Sequence, residues 1–384
     1  MNDQRTIPLK VLFVVPMLAV GGAEKHLATV LPKLRETGFD IRVVTARGEA
    51  VLDAVLRETG VPVINTPMVR PSPLRRLAAC RTIWRQIRDW RPDVVHFFLP
   101  EAYILGGLTA WLARHPVRVM SRRSLNTYQK DRRVVIALEH FLHRRMAAVT
   151  GNSEAVRTEL LAEGVPPGRL HVIRNGIAEA AFRPSAKADA RARLDIPEVA
   201  FVMTCVANLI PYKGHADLID ALISVKDRMP ANWLLLLAGR DDGIGEDLRR
   251  RAEAGGIGGN IRLLGFRDDL AEITGASDLG LLVSHEEGSP NSVLESMAAG
   301  LPMVVTDAGG TAEAAIDGQT ALVVPAHDSA AIAEAIVALA NDPDRRERFG
   351  DAAKARARDT FSLEACTNAY AQLYEGLVSA EQQQ

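Results

Sequence analysis

HEEGSPNSVLESMAAGLPMVV, His285 to Val305, is the stretch that decides the reading of this chain. Leu279–Val283 just before it and Met303–Thr306 at its end read as strands, with a helix between them. Ser289 suits the N-cap and Pro290 the first helical position, where a missing N–H costs nothing. Gly300 and Pro302 stop the helix. Glu287 and Glu295 stand eight positions apart across the loop-to-helix junction. Glu295 shares a helix face with Asn291, and Glu287 can fold back toward the helix start. The backbone N–H groups of Asn291, Ser292 and Val293 offer an anion site. Carboxylates accept hydrogen bonds from sugar hydroxyls, and an anion site takes a diphosphate, so together they suit a nucleotide sugar. Two glutamates at a helix start also fit a solvated face that complements the helix dipole.

Working outward, the same alternation fills the chain. Strands are expected at Leu9–Val15, Ile41–Thr45, Pro62–Asn65, Asp93–Phe98, Val117–Met120, Ala148–Gly151 and from Val172. A second series is expected at Phe201–Ala207, Trp233–Ala238, Ile261–Leu264, Leu279–Val283, Met303–Thr306 and Ala321–Val324. Continuous apolar strands alternating with helices make parallel, doubly covered sheets. The fold class is α/β with Rossmann-like domains. Residues 184–198, PSAKADARARLDIPE, break the pattern and read as a linker between domains at 1–183 and 199–359. The pattern from Ala330 to about Ser379 is helical.

The chain has 384 residues, 47% of them hydrophobic, enough for two or three buried cores. No apolar run reaches the ~18 residues of a spanning helix, and MNDQRTIPLK lacks signal-peptide architecture. Cys80, Cys205 and Cys366 have neither metal nor disulfide spacing, which fits a reducing cytoplasm. The net charge of −1 hides an asymmetry. Residues 1–183 hold 28 Lys and Arg against 16 Asp and Glu, and the remainder holds 18 against 31. The N-terminal half is therefore suited to an anionic partner, nucleic acid or membrane. Recognisable nucleic-acid modules are absent. Arg75, Arg76, Arg81, Arg85 and Arg88, with Leu77, Trp84 and Ile87, lie along a helical pattern within Arg70–Arg91. This helix can face an anionic membrane or simply solvent. The stretch Arg122–Arg133, RRSLNTYQKDRR, adds to the basic balance.

Further residues at expected strand ends carry chemistry. Gly21-Gly22 opens a helix after the first strand, where glycine permits close approach to a phosphate. It is not the Gly-x-Gly-x-x-Gly of dinucleotide enzymes. Lys213, in Asn208-Leu-Ile-Pro-Tyr-Lys-Gly-His215, can neutralise a diphosphate or be merely solvated. His96 sits at a strand end among aromatics, as a core residue or an acceptor contact. Arg122 and Arg123 can meet an acidic acceptor, a diphosphate or solvent.

The Glu287-x7-Glu295 segment, with Met297–Pro302 and Asp307–Glu313, resembles the signature of family-four retaining glycosyltransferases. Gly21-Gly22, Lys213-Gly214, Asn152-Ser153-Glu154, Asn175-Gly176-Ile177, Gly239 and Gly265–Asp269 are similar to further elements of that family. The resemblance is strongest over about 200–325 and weakest over 50–150. It implies the GT-B fold, two Rossmann-like domains facing each other across a cleft, with the last helix, within 360–384, returning to the first domain. It implies a nucleotide-diphosphate sugar as donor, a glycan or lipid-linked acceptor, and neither metal nor cofactor. In the implied site Glu295 holds the ribose and Glu287 the donor sugar. Lys213, Gly22 and Asn291–Val293 face the diphosphate, while Gly239, Phe266 and Arg267 frame the base. His96, Arg122 and Arg123 are acceptor-side candidates. Two positions depart from the pattern: Asn208 stands for the family's arginine, and Arg122 for its histidine. The expected protein is a cytoplasmic enzyme of polysaccharide or glycoconjugate synthesis that touches the inner face of a membrane. Alternatives are a nucleotide-sugar epimerase on a similar fold and a non-catalytic sugar-nucleotide-binding module.

Overall fold

The computed structural model describes residues 8–19, 21–67, 73–129 and 132–383. The chain divides into two compact units, one of Met1–Gly176 with Leu363–Gln384 and one of Ile177–Ser362.

The first unit is built on seven strands: β1 (Lys10–Val15), β2 (Asp40–Thr45), β3 (Val63–Asn65), β4 (Val94–Phe98), β5 (Arg118–Arg122), β6 (Ala148–Gly151) and β7 (Leu170–Val172). They pair in parallel in the order 3-2-1-4-5-6-7. Val11 to Val15 are at most 1% exposed, as a strand covered on both faces requires. The closing helix, Leu363–Gln382, belongs to this unit. Its Cys366, Tyr370, Tyr374 and Val378 repeat every four residues, so they form one stripe. All four are buried in one cluster with Phe13, Leu27, Leu31 and Phe98. Burying each large apolar side chain stabilises the unit by about 1.5–3 kcal/mol.

The second unit repeats the plan with β8 (Phe201–Val206), β9 (Trp233–Ala238), β10 (Ile261–Gly265), β11 (Leu279–Leu282), β12 (Met303–Thr306) and β13 (Ala321–Val324). The parallel order is 10-9-8-11-12-13. Strand order reverses between β1 and β4 in one unit and between β8 and β11 in the other. Loops beyond the carboxyl ends of strands at such a reversal are where doubly wound sheets bind ligands.

The linker expected at 184–198 is corrected by the structure. Lys187–Arg193 is a helix inside the second unit, with Ala190 and Arg191 buried. Arg191 donates to the Ala276 carbonyl (3.1 Å) and to Asp278 (2.8 Å), which anchors the segment to the body. The chain passes between units at Gly176–Ile177 and Ser362–Leu363 instead. The helical C-terminal pattern resolves into Ser329–Ala340, Pro343–Phe361 and Leu363–Gln382. Residues 1–7, Arg70, Lys130 and Asp131, which entered the sequence reading, lie outside the described residues.

Candidate active site

The loops after β8 and β11, the two strands at the reversal of the second unit, are joined by one ion pair. Lys213 Nζ donates to Glu287 Oε1 at 2.5 Å. Both side chains are largely but not wholly covered, at 16% and 10% exposure, so they remain reachable from solvent. Ser284 Oγ donates to the same carboxylate oxygen at 2.7 Å. The Ser284 carbonyl in turn accepts from the buried Thr306 hydroxyl at the end of β12 (2.5 Å). Glu287 is thus oriented by a chain of hydrogen bonds rooted in the sheet.

Lys213 ends a short 3-10 turn, Pro211–Lys213, and Gly214 follows in the left-handed region at φ +71°. A Cβ on Gly214 would lie 2.0 Å from the Val283 carbonyl oxygen. Only glycine lets the two loops meet this closely. The His285 N–H donates to the Tyr212 carbonyl (2.8 Å), a second tie between them. His215, next to Lys213, is buried, and burial followed by the lysine charge lowers its pKa to about 4. It is neutral at pH 7 and is no proton donor there. Burial pushes the Cys205 thiol of β8 up to about 12, so it is no nucleophile.

Asn208 uses its side chain on the neighbouring loop. Its Oδ1 accepts the Arg240 N–H at 3.2 Å, and the Leu209 N–H donates to the Arg240 carbonyl at 2.9 Å. Gly239, between them, would place a Cβ 2.0 Å from the Ala207 carbonyl, so glycine is required there too. Its N–H donates to the Gly265 carbonyl (2.9 Å), which draws the end of β10 into the same group of loops. Phe266 follows, half exposed, and Arg267 pairs with Asp269.

The helix that carries Glu295 spans Asn291–Ala298, and its N-cap is Pro290. This corrects the expected cap at Ser289 and first position at Pro290 by one residue. Ring-fixed φ lets Pro290 lead in from an extended conformation, at φ −74° and ψ 116°. Of the three N–H groups expected at the anion site, that of Val293 is already bonded to the Pro290 carbonyl at 3.2 Å. Glu295, Asn291 and Ser292 are partly exposed on this helix, while Val293 is core.

In the first unit Gly22 begins the helix Gly22–Glu36 and is exposed, with Gly21 before it in an extended conformation. The acceptor-side candidates are reassigned. His96 is fully buried mid-strand, with Nδ1 2.6 Å from the Tyr374 hydroxyl and Nε2 2.8 Å from the Ser121 hydroxyl. Burial, then the charge of Arg123, holds its pKa well below the usual histidine value. It is a core residue. Arg122 is 3% exposed and bridges Glu163 and Glu139 (3.1 Å to the latter). Arg123 remains half-buried, bonded to Asn175 and Tyr370. Ser284 escapes the sequence reading altogether, and Tyr212, Thr306 and Gly310 enter it only as members of a motif or strand, without a role. Gly310 donates its N–H to the Glu287 carbonyl (3.1 Å), so the Asp307–Gly310 loop is a third support of that residue. Only tertiary structure shows these roles.

The family described as "Glycosyl transferases group 1" matches residues 186–356, and "Glycosyltransferase Family 4" matches residues 20–180. A D-inositol 3-phosphate glycosyltransferase of Corynebacterium efficiens is 29% identical over 311 residues, 75% of this chain and 72% of that one. A glycogen synthase of Mycobacterium tuberculosis is 29% identical over 319 residues, 77% and 72% of the two chains. Among solved structures, Anabaena HepE in complex with UDP-glucose superposes with a TM-score of 0.84 at 23% identity, covering 96% of this chain and all of that one. WaaG, a glycosyltransferase involved in lipopolysaccharide biosynthesis, gives 0.73 at 18% identity, over 95% and 100%. The chain belongs to the family-four, group 1 glycosyltransferases, and its two Rossmann-like units make a GT-B fold.

Proposed function

We propose that this glycosyltransferase transfers a sugar, with retention at the anomeric carbon and without a metal, from a nucleotide-diphosphate sugar to a glycan or lipid-linked acceptor. The observation that carries this reading is the reachable Lys213–Glu287 pair at the strand-order reversal of the second unit. A diphosphate entering there competes for the lysine, and Glu287 is released toward the donor sugar. Lys213, with N–H groups at the start of the Asn291–Ala298 helix, stabilises the departing diphosphate. Glu295 takes the ribose hydroxyls, and Gly239, Phe266 and Arg267 frame the base. Asn208 brings no charge, so Lys213 carries more of the charge neutralisation than an arginine–lysine pair would require of it. Arg123 and Gly22 are the remaining contacts we assign to the first unit. HepE, solved with UDP-glucose, makes a UDP-sugar the first donor to try.

A panel of nucleotide sugars, read by thermal shift and donor hydrolysis beside a Glu295→Ala variant, tests the reading. One donor should stabilise the wild type and not the variant. No shift and no nucleotide release with any donor would sink it.

We further propose that the enzyme works at the inner face of a membrane. On the helix Pro73–Arg85 and the turn after it, Leu74, Leu77 and Trp84 are exposed beside Arg76, Arg81, Arg85 and Arg88. Ile87, expected on this face, is instead core, and Arg75 reaches Glu101 at 3.6 Å. Each exposed arginine near an anionic leaflet contributes about 1 kcal/mol. No described helix is long and apolar enough to cross a membrane. Liposome flotation with and without anionic lipid is the check, and failure to float with either refutes surface binding.

A further inference from the structure

Three side chains from separate elements of the second unit meet beside the Glu287 loop. Asp217 lies in the first turn of the helix His215–Val225. His285 follows β11, and His327 lies between β13 and the helix Ser329–Ala340. His285 Nε2 is 2.7 Å from Asp217 Oδ2. The His285 and His327 rings lie 3.6 Å apart, centroid to centroid, with 32° between their planes. One ligand atom from each of the three residues falls within 4.8 Å of the others.

We propose that Asp217, His285 and His327 form a binding site for a divalent transition-metal ion of the class that imidazole prefers, zinc(II) above all. Two imidazoles and one carboxylate are a zinc donor set that leaves a fourth position for water. With bonds of about 2.0–2.2 Å, tetrahedral donors stand about 3.3 Å apart. The Asp217–His285 pair, now hydrogen-bonded at 2.7 Å, opens by about 0.6 Å to that spacing, and the exposed His327 ring turns to bring its nitrogen in. The backbone points the same way. His327 is held at φ +62°, a conformation that costs a non-glycine residue about 1–2 kcal/mol. Strand β13 fixes the chain before it, and Asp328 caps the next helix through the Ala331 N–H (2.9 Å) just after it. A solvated Asp–His hydrogen bond explains the first two residues but gives no reason for a second ring stacked on the first.

A bound ion would not touch the reacting atoms. It would staple the loop after β11, two residues before Glu287, to the β8-side helix and the loop after β13. Its role is positioning, and the proposal stands whatever the donor or acceptor proves to be.

The test uses the full chain without an affinity tag, stripped by chelator and titrated with zinc chloride under equilibrium dialysis. Saturable binding of one zinc per chain is expected, with a rise in melting temperature. Cobalt(II) in its place should give a visible d–d band. His327→Asn keeps a residue that tolerates positive φ, and Asp217→Asn keeps the shape of the carboxylate. Each should melt like the wild type without metal and bind zinc at least ~10-fold more weakly, as loss of one ligand in three demands. Unsaturable binding, or either variant binding as tightly as the wild type, overturns the site.

Discussion

Arg122 and Lys213 make an instructive pair. Both lie at the carboxyl end of a parallel strand, one closing β5 in the first unit and the other in the loop after β8 in the second. Arg122 is sealed among acids of its own unit. Glu163 and Glu139 hold it, His143 bonds Glu163 at 3.1 Å, and Tyr103 bonds His143 at 2.9 Å. Burial alone would raise the Glu163 carboxyl, but the bonds from His143 and Arg122 outweigh it and hold it at about 2. Lys213 is paired with Glu287 and keeps a partial opening to solvent. A place at a strand end therefore does not make a charge a ligand contact. What decides is whether the fold has already supplied its partners.

The largest effect that could break this comparison is Arg122→Ala. It strands two buried carboxylates and should destabilise the protein by about 3–5 kcal/mol. A denaturant titration with unchanged slope is the measurement, and a neutral result would mean the network is not closed. Lys213→Ala should do the reverse, leaving melting nearly unchanged while turnover falls about 10²–10³-fold, or 2.7–4 kcal/mol of barrier. Equal losses of stability and rate in both variants would erase the distinction.

A third contrast lies in acid. His26, His96, His115 and His143 of the first unit all have lowered pKa values, led by burial in each case. In the second unit the same holds for His215. A lowered folded pKa means the unfolded chain binds the extra proton first. The stabilisation is complete above about pH 6.5 and fades as pH falls, by up to about 1.4 kcal/mol per unit for each histidine. Glu163 extends the loss from about pH 4.3 toward 2. Hydrogen exchange between pH 7 and 5 should open the first unit before the second, and opening in the opposite order would contradict the contrast. The smallest change is Tyr374→Phe, which takes away the hydroxyl beside His96 Nδ1 and should cost about 1–3 kcal/mol in melting experiments. Activity of the folded fraction should not change.

Much of this was legible in the chain. Four strands, Ala148–Gly151, Trp233–Ala238, Met303–Thr306 and Ala321–Val324, coincide with their expected limits, because each is a short, mainly apolar run that polar or turn residues bound. The pattern also led to Glu287, Lys213 and Gly239, all within the loops that the second sheet gathers. The linker expectation fails because a charged segment need not be exposed. Arg191 is inside, but its partner Asp278 lies 87 residues on. Arg122 was misread for the same reason, since Glu139 and Glu163 are 17 and 41 residues distant. Asp217, His285 and His327 have no sequence spacing that announces them. Pairing across such distances is fixed by strand order, which local patterns do not encode.

The Leu363–Gln382 helix bears on how this protein comes into being on the ribosome. Its aromatic stripe fills the core of a unit whose other residues are synthesised first. At roughly 5–20 residues per second, the intervening unit takes about 10–40 s to emerge. During that time the nascent first sheet carries an uncovered apolar face around Phe13 and Leu31. The middle of the chain can finish folding before its beginning does. Aggregation and chaperone capture should therefore act on the N-terminal segment. A stop codon at Leu363 should be felt in the sheet and helix around Phe13 and Leu31, more than three hundred residues away in sequence.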